Sequence, residues 1–386
     1  MVFPSFTARV ALVALSAASL LSFFSPASIA LSFAHFTKAT QVFPVISKMD
    51  SASDKEMPYS ALGVVAQIAM FHSGYGWAAS SLGVFQTSDS GTHWVRTLRG
   101  DAAIKSNGQT DFLNKNTAYA ILPANNTQSY LYVTHDGGRK WNRNLVPIEA
   151  QSVIQISFAN SRVGLMMTAP HGAAGPLEPI ALYKSSDGGL NMTPIFSIST
   201  HSVVFHGLPQ EALKTGIYLQ TPTTGWITAD SWGNKLWLYE TKNSGLTWKN
   251  RSISLIPTPL KHNLGGNQLP GNPVFFNSSN GILPVTFYGG GFCLYKTSDG
   301  GVKWNPTKPL LTKSSVIYDI FNATHIFAKV GQTLYESKNV GQSWYVAGNH
   351  APSGTTLIFV SPSDGYTVGT TLWKTVTGGK TWSQIR

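Results

Sequence analysis

Charge is what this 386-residue chain lacks most. Asp, Glu, Lys and Arg together make up 12% of it, about half the usual share of ~25%. That excludes a coiled coil. Cysteine occurs once, at Cys293, so no intramolecular disulfide can form. It stands in the apolar stretch FCLY, where a small buried hydrophobe fits better than a nucleophile. Arginine occurs eight times and no run of basic residues exists, so the chain does not read as a nucleic-acid binder. HExxH and CxxC spacings are absent, and no metal or cofactor is expected. Acids are scarcer than bases, 17 against 28, for a net charge of +11. That excess favours encounter with anionic partners, such as an envelope polymer.

What the chain has instead is 36 Gly, 11 Trp, 14 Tyr and 20 Phe. This composition suits many short strands joined by tight turns. The N-terminus departs from it. Arg9 precedes VALVALSAASLLSFF, Pro26 breaks that run, and Ser28 and Ala30 supply small residues where a signal peptidase reads. Residues 1–30 are therefore expected to be a secretory signal. An uncleaved anchor over 10–36 stays open, since its length spans a bilayer. No Cys follows the run, which argues against a lipoprotein. Without Arg9 the chain keeps 27 bases and 17 acids, or +10. Export without disulfides fits a bacterial envelope or exterior. Residues 31–58 form an N-terminal segment and 59–386 the main domain.

One eight-residue box recurs seven times. It reads TSDSGTHW, THDGGRKW, SSDGGLNM, TKNSGLTW, TSDGGVKW, SKNVGQSW and TVTGGKTW. The final positions fall at 94, 141, 192, 248, 304, 344 and 382, spaced by 47, 51, 56, 56, 40 and 38 residues. A short apolar strand precedes each box (GVFQ, YLYV, ALYK, LWLY, CLYK, TLYE, TLWK), and a strand–turn–strand unit lies further upstream. Four strands per unit and seven units predict an all-β, seven-bladed propeller with four-stranded antiparallel blades. Each box position has a physical reason. Position three (Asp89, Asp136, Asp187, Asn243, Asp299, Asn339, Thr377) accepts backbone N–H groups within its turn, most weakly at Thr377. Position five is Gly throughout, as a positive φ requires. Position eight (Trp94, Trp141, Met192, Trp248, Trp304, Trp344, Trp382) supplies an apolar plug between blades.

The box resembles the Asp-box, or bacterial neuraminidase repeat, of sialidase-like propellers. Its style is most similar to the photosystem II assembly and stability factor propellers, and the resemblance covers about residues 64–386. It implies that the boxes occupy the turn between third and fourth strands, opposite a ligand face, and are structural. The ligand face is then made by second-to-third-strand loops and blade-to-blade links. Its long segments are 168–180, 197–215 and 251–273, with 230–236 beside them. They carry His171, Glu178, His201, His206, Glu211, Asp230, Trp232 and His262, of which His171, His206, Trp232 and His262 are the candidate ligand-binding residues. Long loops on a rigid scaffold favour binding.

Two functions stay open. One is a monomeric, non-catalytic binding or scaffold propeller that contacts protein or glycan at the cell surface. The other is a glycoside hydrolase, which needs two facing carboxylates, here drawn from Glu178, Glu211 and Asp230. A sialidase would need three clamping arginines, and the Arg-Ile-Pro type motif that supplies the first is missing. The photosystem factors bind a membrane-protein precursor through an arginine-rich face, and this chain has no concentrated Arg patch. A strand over 40–48 is expected either to close the ring on the last blade or to leave closure to packing of blade one on blade seven. Asp230, taken as an exposed loop residue, is expected to tolerate change to Ala.

Overall fold

The computed structural model describes residues 45–47, 55–99, 109–125, 127–146, 148, 152–169, 179–197, 204–209, 211–230, 235–253, 256–261, 268–288 and 290–386. The expected signal and the candidates His171, Glu178, His201, Trp232 and His262 lie outside them.

Seven antiparallel sheets of four strands, nearly all the regular structure, form a ring: a seven-bladed propeller. Blade one contains Val65–Met70, Gly76–Ser80, Gly83–Thr87 and Val95–Arg99, in order from the inner strand outward. Blade four contains Leu213–Leu219, Gly225–Asp230, Trp237–Thr241 and Lys249–Asn250. The inner edge of blade five is split into Gln268–Pro270 and Val274–Phe275, both paired with Gly281–Phe287. The link from blade three to four holds a small hairpin, Val204–Phe205 with Leu208–Pro209. The next link holds a one-turn helix, Thr258–Lys261.

Each blade interface is a hydrophobic cluster shared by neighbours. The last inner-strand residue is a plug at five interfaces with a clear spatial reason. In blades one, three, four, five and seven this residue is Met70, Phe158, Leu219, Phe275 or Phe359, directly opposite a Gly. A Cβ at Gly164 would stand 2.5 Å from the Phe158 ring, and one at Gly365 2.7 Å from Phe359. The rings then stack on the preceding blade: Phe158 on Tyr119 at 3.6 Å between centroids, Phe359 on Phe327 at 3.5 Å.

The inner strands are also stitched by side chains. Asp111 Oδ2 accepts the Phe158 N–H at 2.7 Å, Ser157 Oγ accepts that of Leu219 at 3.0 Å, and Asp319 Oδ2 accepts that of Phe359 at 2.6 Å. Each acceptor lies on an inner strand and binds the plug of the next blade. Buried N–H groups of one blade are thus satisfied by its neighbour.

Ring closure departs from the strand expectation. The N-terminal strand Val45–Ser47 pairs with Lys140–Val146, the outer strand of blade two. It does not reach blade seven, whose outer edge, Ser383–Ile385, belongs to its own sheet. Blades one and seven close by packing: Tyr59, Leu62, Met70, Phe85 and Trp94 form one cluster with Ile358, Tyr366, Val368 and Leu372. Tyr59 Oη donates to Gly369 O at 2.8 Å across the same seam.

Candidate functional site

The boxes lie between third and fourth strands and share one geometry. The first hydroxyl donates to the third side chain, at 2.9 Å for Thr87 to Asp89 and 2.8 Å for Ser185 to Asp187. The same hydroxyl accepts the Gly N–H of position five, at 3.0 Å from Gly91 and 2.7 Å from Gly189. The third side chain accepts the N–H of position seven, at 2.9 Å from His93, Lys140, Thr247, Lys303 and Ser343. At Thr377 only a hydroxyl performs this, accepting Thr381 N–H at 2.9 Å. Residues four and five both take positive φ, for example Gly300 at 72° and Gly301 at 87°. A Cβ at Gly301 would stand 2.2 Å from Trp226 of the preceding blade. That combination leaves glycine alone at position five.

These carboxylates are consumed by the turn. Burial works to raise the Asp187 pKa, but hydrogen bonds from Asn191 and Ser185 outweigh it and hold the group below its ordinary value. Asp299 is lowered chiefly by the Lys303 backbone N–H. The eighth residues pack on the preceding blade. Trp141 lies edge-on to Trp77, Trp304 edge-on to Trp226 and also to Phe275 of its own blade, and Trp344 edge-on to Phe292. Met192 packs with Tyr119 and Phe158.

Box and first turn share one end of each blade, as bonds such as Gly137 N–H to Asn116 O (2.9 Å) and Gly300 N–H to Ser279 O (2.9 Å) show. The opposite end is formed by the second-to-third-strand loops and the blade links. At this end of blade four, the candidates divide. Glu211 is exposed beside the inner strand. Asp230 ends the second strand and is buried, 7% exposed, which corrects the expectation of a tolerant loop carboxylate. His206 ring-stacks on Phe196, 5.4 Å between centroids, with a positive φ of 52°. Its carbonyl accepts the N–H of Trp248, the eighth residue of the blade-four box, at 2.8 Å, so this candidate is tied to the box side and not to the ligand-face end.

Electrostatics separate the two described carboxylates. Burial first, then the Glu211 charge, pushes the Tyr239 phenol up to about 12. Tyr239 belongs to the cluster between blades three and four. Asp230 instead acts on Tyr288 of blade five, whose pKa is raised by burial first and by that charge second. Asp230 alternates with Trp226 and Thr228 on the face toward blade five. Leu213, two residues after Glu211, lies directly opposite Asp230.

Sequence reasoning missed several groups here. Lys214 is buried, donates to Glu211 O at 2.8 Å and Ala212 O at 3.0 Å, and lies 5.2 Å from the Trp237 ring centre. Tyr288 and Leu311 project at 62% and 56% exposure. Both sit in short loops that the search for long insertions passes over. Cys293 Sγ lies 3.5 Å from Leu294 O and 3.6 Å from Thr307 O, and its thiol is buried and pushed up to about 12 by burial, which fits a core residue. Among the described residues no group of three or more His, Cys, Asp or Glu is placed to hold a metal ion.

No family model matches the chain, and no curated protein does. Solved structures do. YCF48 bound to D1 peptide is 16% identical, with a TM-score of 0.55 over 85% of this chain and 97% of that one. The SapL1 lectin in complex with alpha methyl fucoside is 12% identical, with a TM-score of 0.43 over 76% and 99%. The GH74 enzyme of Niastella koreensis is 12% identical, with a TM-score of 0.29 over 83% and 71%. The first supports the propeller fold alone, and the other two carry no argument.

Proposed function

We propose that this chain is an exported, non-catalytic binding or scaffold propeller. It takes a protein or glycan partner on the face opposite the boxes, through the sector of blades three to five. The observation that carries the reading is that Asp230 is buried at the end of the second strand, whereas Glu211 is exposed. A glycosidase needs two carboxyl groups facing one bond, ~5 to 10 Å apart. The box acids are engaged by their own turns. Exposed Tyr288 and Leu311 offer an aromatic and an aliphatic contact instead. That YCF48, of the same fold, is seen with a peptide supports a peptide as one class of partner.

The test is twofold. Purified protein lacking residues 1–30 is incubated with a panel of glycosides from about pH 3 to 8, where general acids and bases titrate. It is also incubated with cell envelopes at low and high salt. The reading expects no turnover, and envelope retention that weakens with salt. Glycoside cleavage lost in Asp230→Asn or Glu211→Gln would replace it with the enzyme reading.

A further inference from the structure

Two lysines are buried among the described residues, Lys214 and Lys329, and both lie at the ligand-face end of their strands. They differ in what answers them. Lys214 is met by two carbonyls and a ring face. Lys329 is 6% exposed and, among the described residues, makes no hydrogen bond, ion pair or ring contact. Its Nζ is nevertheless not among the sealed polar atoms. The stem is buried and the ammonium keeps a narrow opening to solvent, a snorkelling arrangement. Burial lowers its pKa, and no neighbouring charge contributes to the shift.

The register shows that the fold does not ask for a cation here. Lys329 stands three residues after Ile326, the partner of the inner-strand residue Ile320. In the other six blades the same place holds Ala79, Ile121, Met167, Thr228, Pro284 and Val368. None is charged. Ile317 and Leu334 lie directly opposite Lys329 on the flanking strands. Leu334 clusters with Leu357 of blade seven and packs against Ile317. Asp319 shares this face, with Oδ2 committed to the Phe359 N–H at 2.6 Å and Oδ1 unpartnered, but it forms no ion pair with Lys329 and its charge does not act on it. A desolvated cation without a partner costs stability that no described residue offsets.

We propose that Lys329, at the ligand-face seam of blades six and seven, anchors a carboxylate of an acidic peptide segment in a protein partner. A lone ammonium matches one monovalent carboxylate, whereas a phosphate draws several donors. Ile317 and Leu334 flank the lysine, which suits a leucine-like neighbour of the acid. This site lies beyond the sector of blades three to five and stands or falls separately from it.

The probe is the blocked tripeptide Ac-Leu-Asp-Leu-NH2, with Ac-Leu-Asn-Leu-NH2 and glucuronate as comparisons. The readout is the rate of reductive methylation at each lysine by mass spectrometry, with exposed Lys303 and Lys380 as internal references. The proposal expects saturable protection of Lys329 by the Asp peptide alone. It also expects Lys329→Met to lose calorimetric binding of that peptide while its Tm stays equal or rises. Lys214→Met, which strands two carbonyls, should lower Tm. Absence of protection by the Asp peptide, or protection by glucuronate alone, would overturn the peptide anchor. So would a fall in Tm for Lys329→Met as large as for Lys214→Met.

Discussion

Asp319→Asn offers a quantitative test of how the blades are stitched. Asp319 is buried between blades six and seven, and its Oδ1 has no partner. Burial pushes its pKa from 3.8 up to about 7, against the lowering effect of the Phe359 and Ile320 N–H groups. The sign follows from proton binding. Between the unfolded and folded values the native state holds the extra proton, so stability is fully present below about pH 4 and is lost as pH rises through about 7. Roughly three pKa units at ~1.4 kcal/mol each set a ceiling of about 4 kcal/mol on this loss. Asparagine keeps an oxygen for the Phe359 N–H and places an amide NH2 where the neutral acid carries its O–H. The assay is urea unfolding of wild type and variant at about pH 4.5, 6 and 8, values that bracket the titration. The variant should be close to wild type at the lowest pH and more stable by about 1 to 4 kcal/mol at the highest. Equal pH slopes, or a variant weaker at the highest pH, would refute the argument that Asp319 is strained by ionisation.

Further outcomes follow from the packing. Trp304→Ala should cost about 3 to 5 kcal/mol in urea unfolding, because the ring is wedged against Trp226 and Phe275 and its Nε1 makes no hydrogen bond. Asp299→Ala should cost about 0.5 to 2 kcal/mol, the loss of a cap-type acceptor for Val302 and Lys303. Gly164→Ala should lower Tm, since its Cβ would meet the Phe158 ring at 2.5 Å. Removing the buried partner of Arg251, which holds Glu240 Oε2 at 2.8 and 2.9 Å, by Glu240→Ala should cost about 3 to 5 kcal/mol.

The fold was legible because turns are local. The fifth box position combines a positive φ with close approach of the neighbouring blade, which glycine alone meets, so seven turns leave seven matching strings. The plug at position eight was legible for the same reason. The inter-blade stitches were not. Asp111, Ser157 and Asp319 occupy one register position with two residue types, and their partners are backbone groups 40 to 62 residues away. Closure by packing of blade one on blade seven was one of the two alternatives the sequence left open. The partner of the N-terminal strand was not legible, because any extended segment can pair with any open edge, and the long outer strand of blade two offers one. Asp230 read as a loop residue because DSWGNKL resembles a turn, while the register carries the second strand through Asp230 opposite Leu213. Lys329 gave no signal at all. Its meaning appears only when seven strands are aligned by their pairing and six of them show an uncharged residue.

The central claim is that partners meet the face opposite the boxes. The most direct measurement places a photo-crosslinking benzoylphenylalanine at Tyr288 on that face and, in a second variant, at Val302 on the box face, both exposed positions. Each variant is irradiated with cell envelopes, and crosslinked partners are quantified. The account predicts adducts from position 288 and only background from position 302. Adducts from 302 with none from 288 would contradict it.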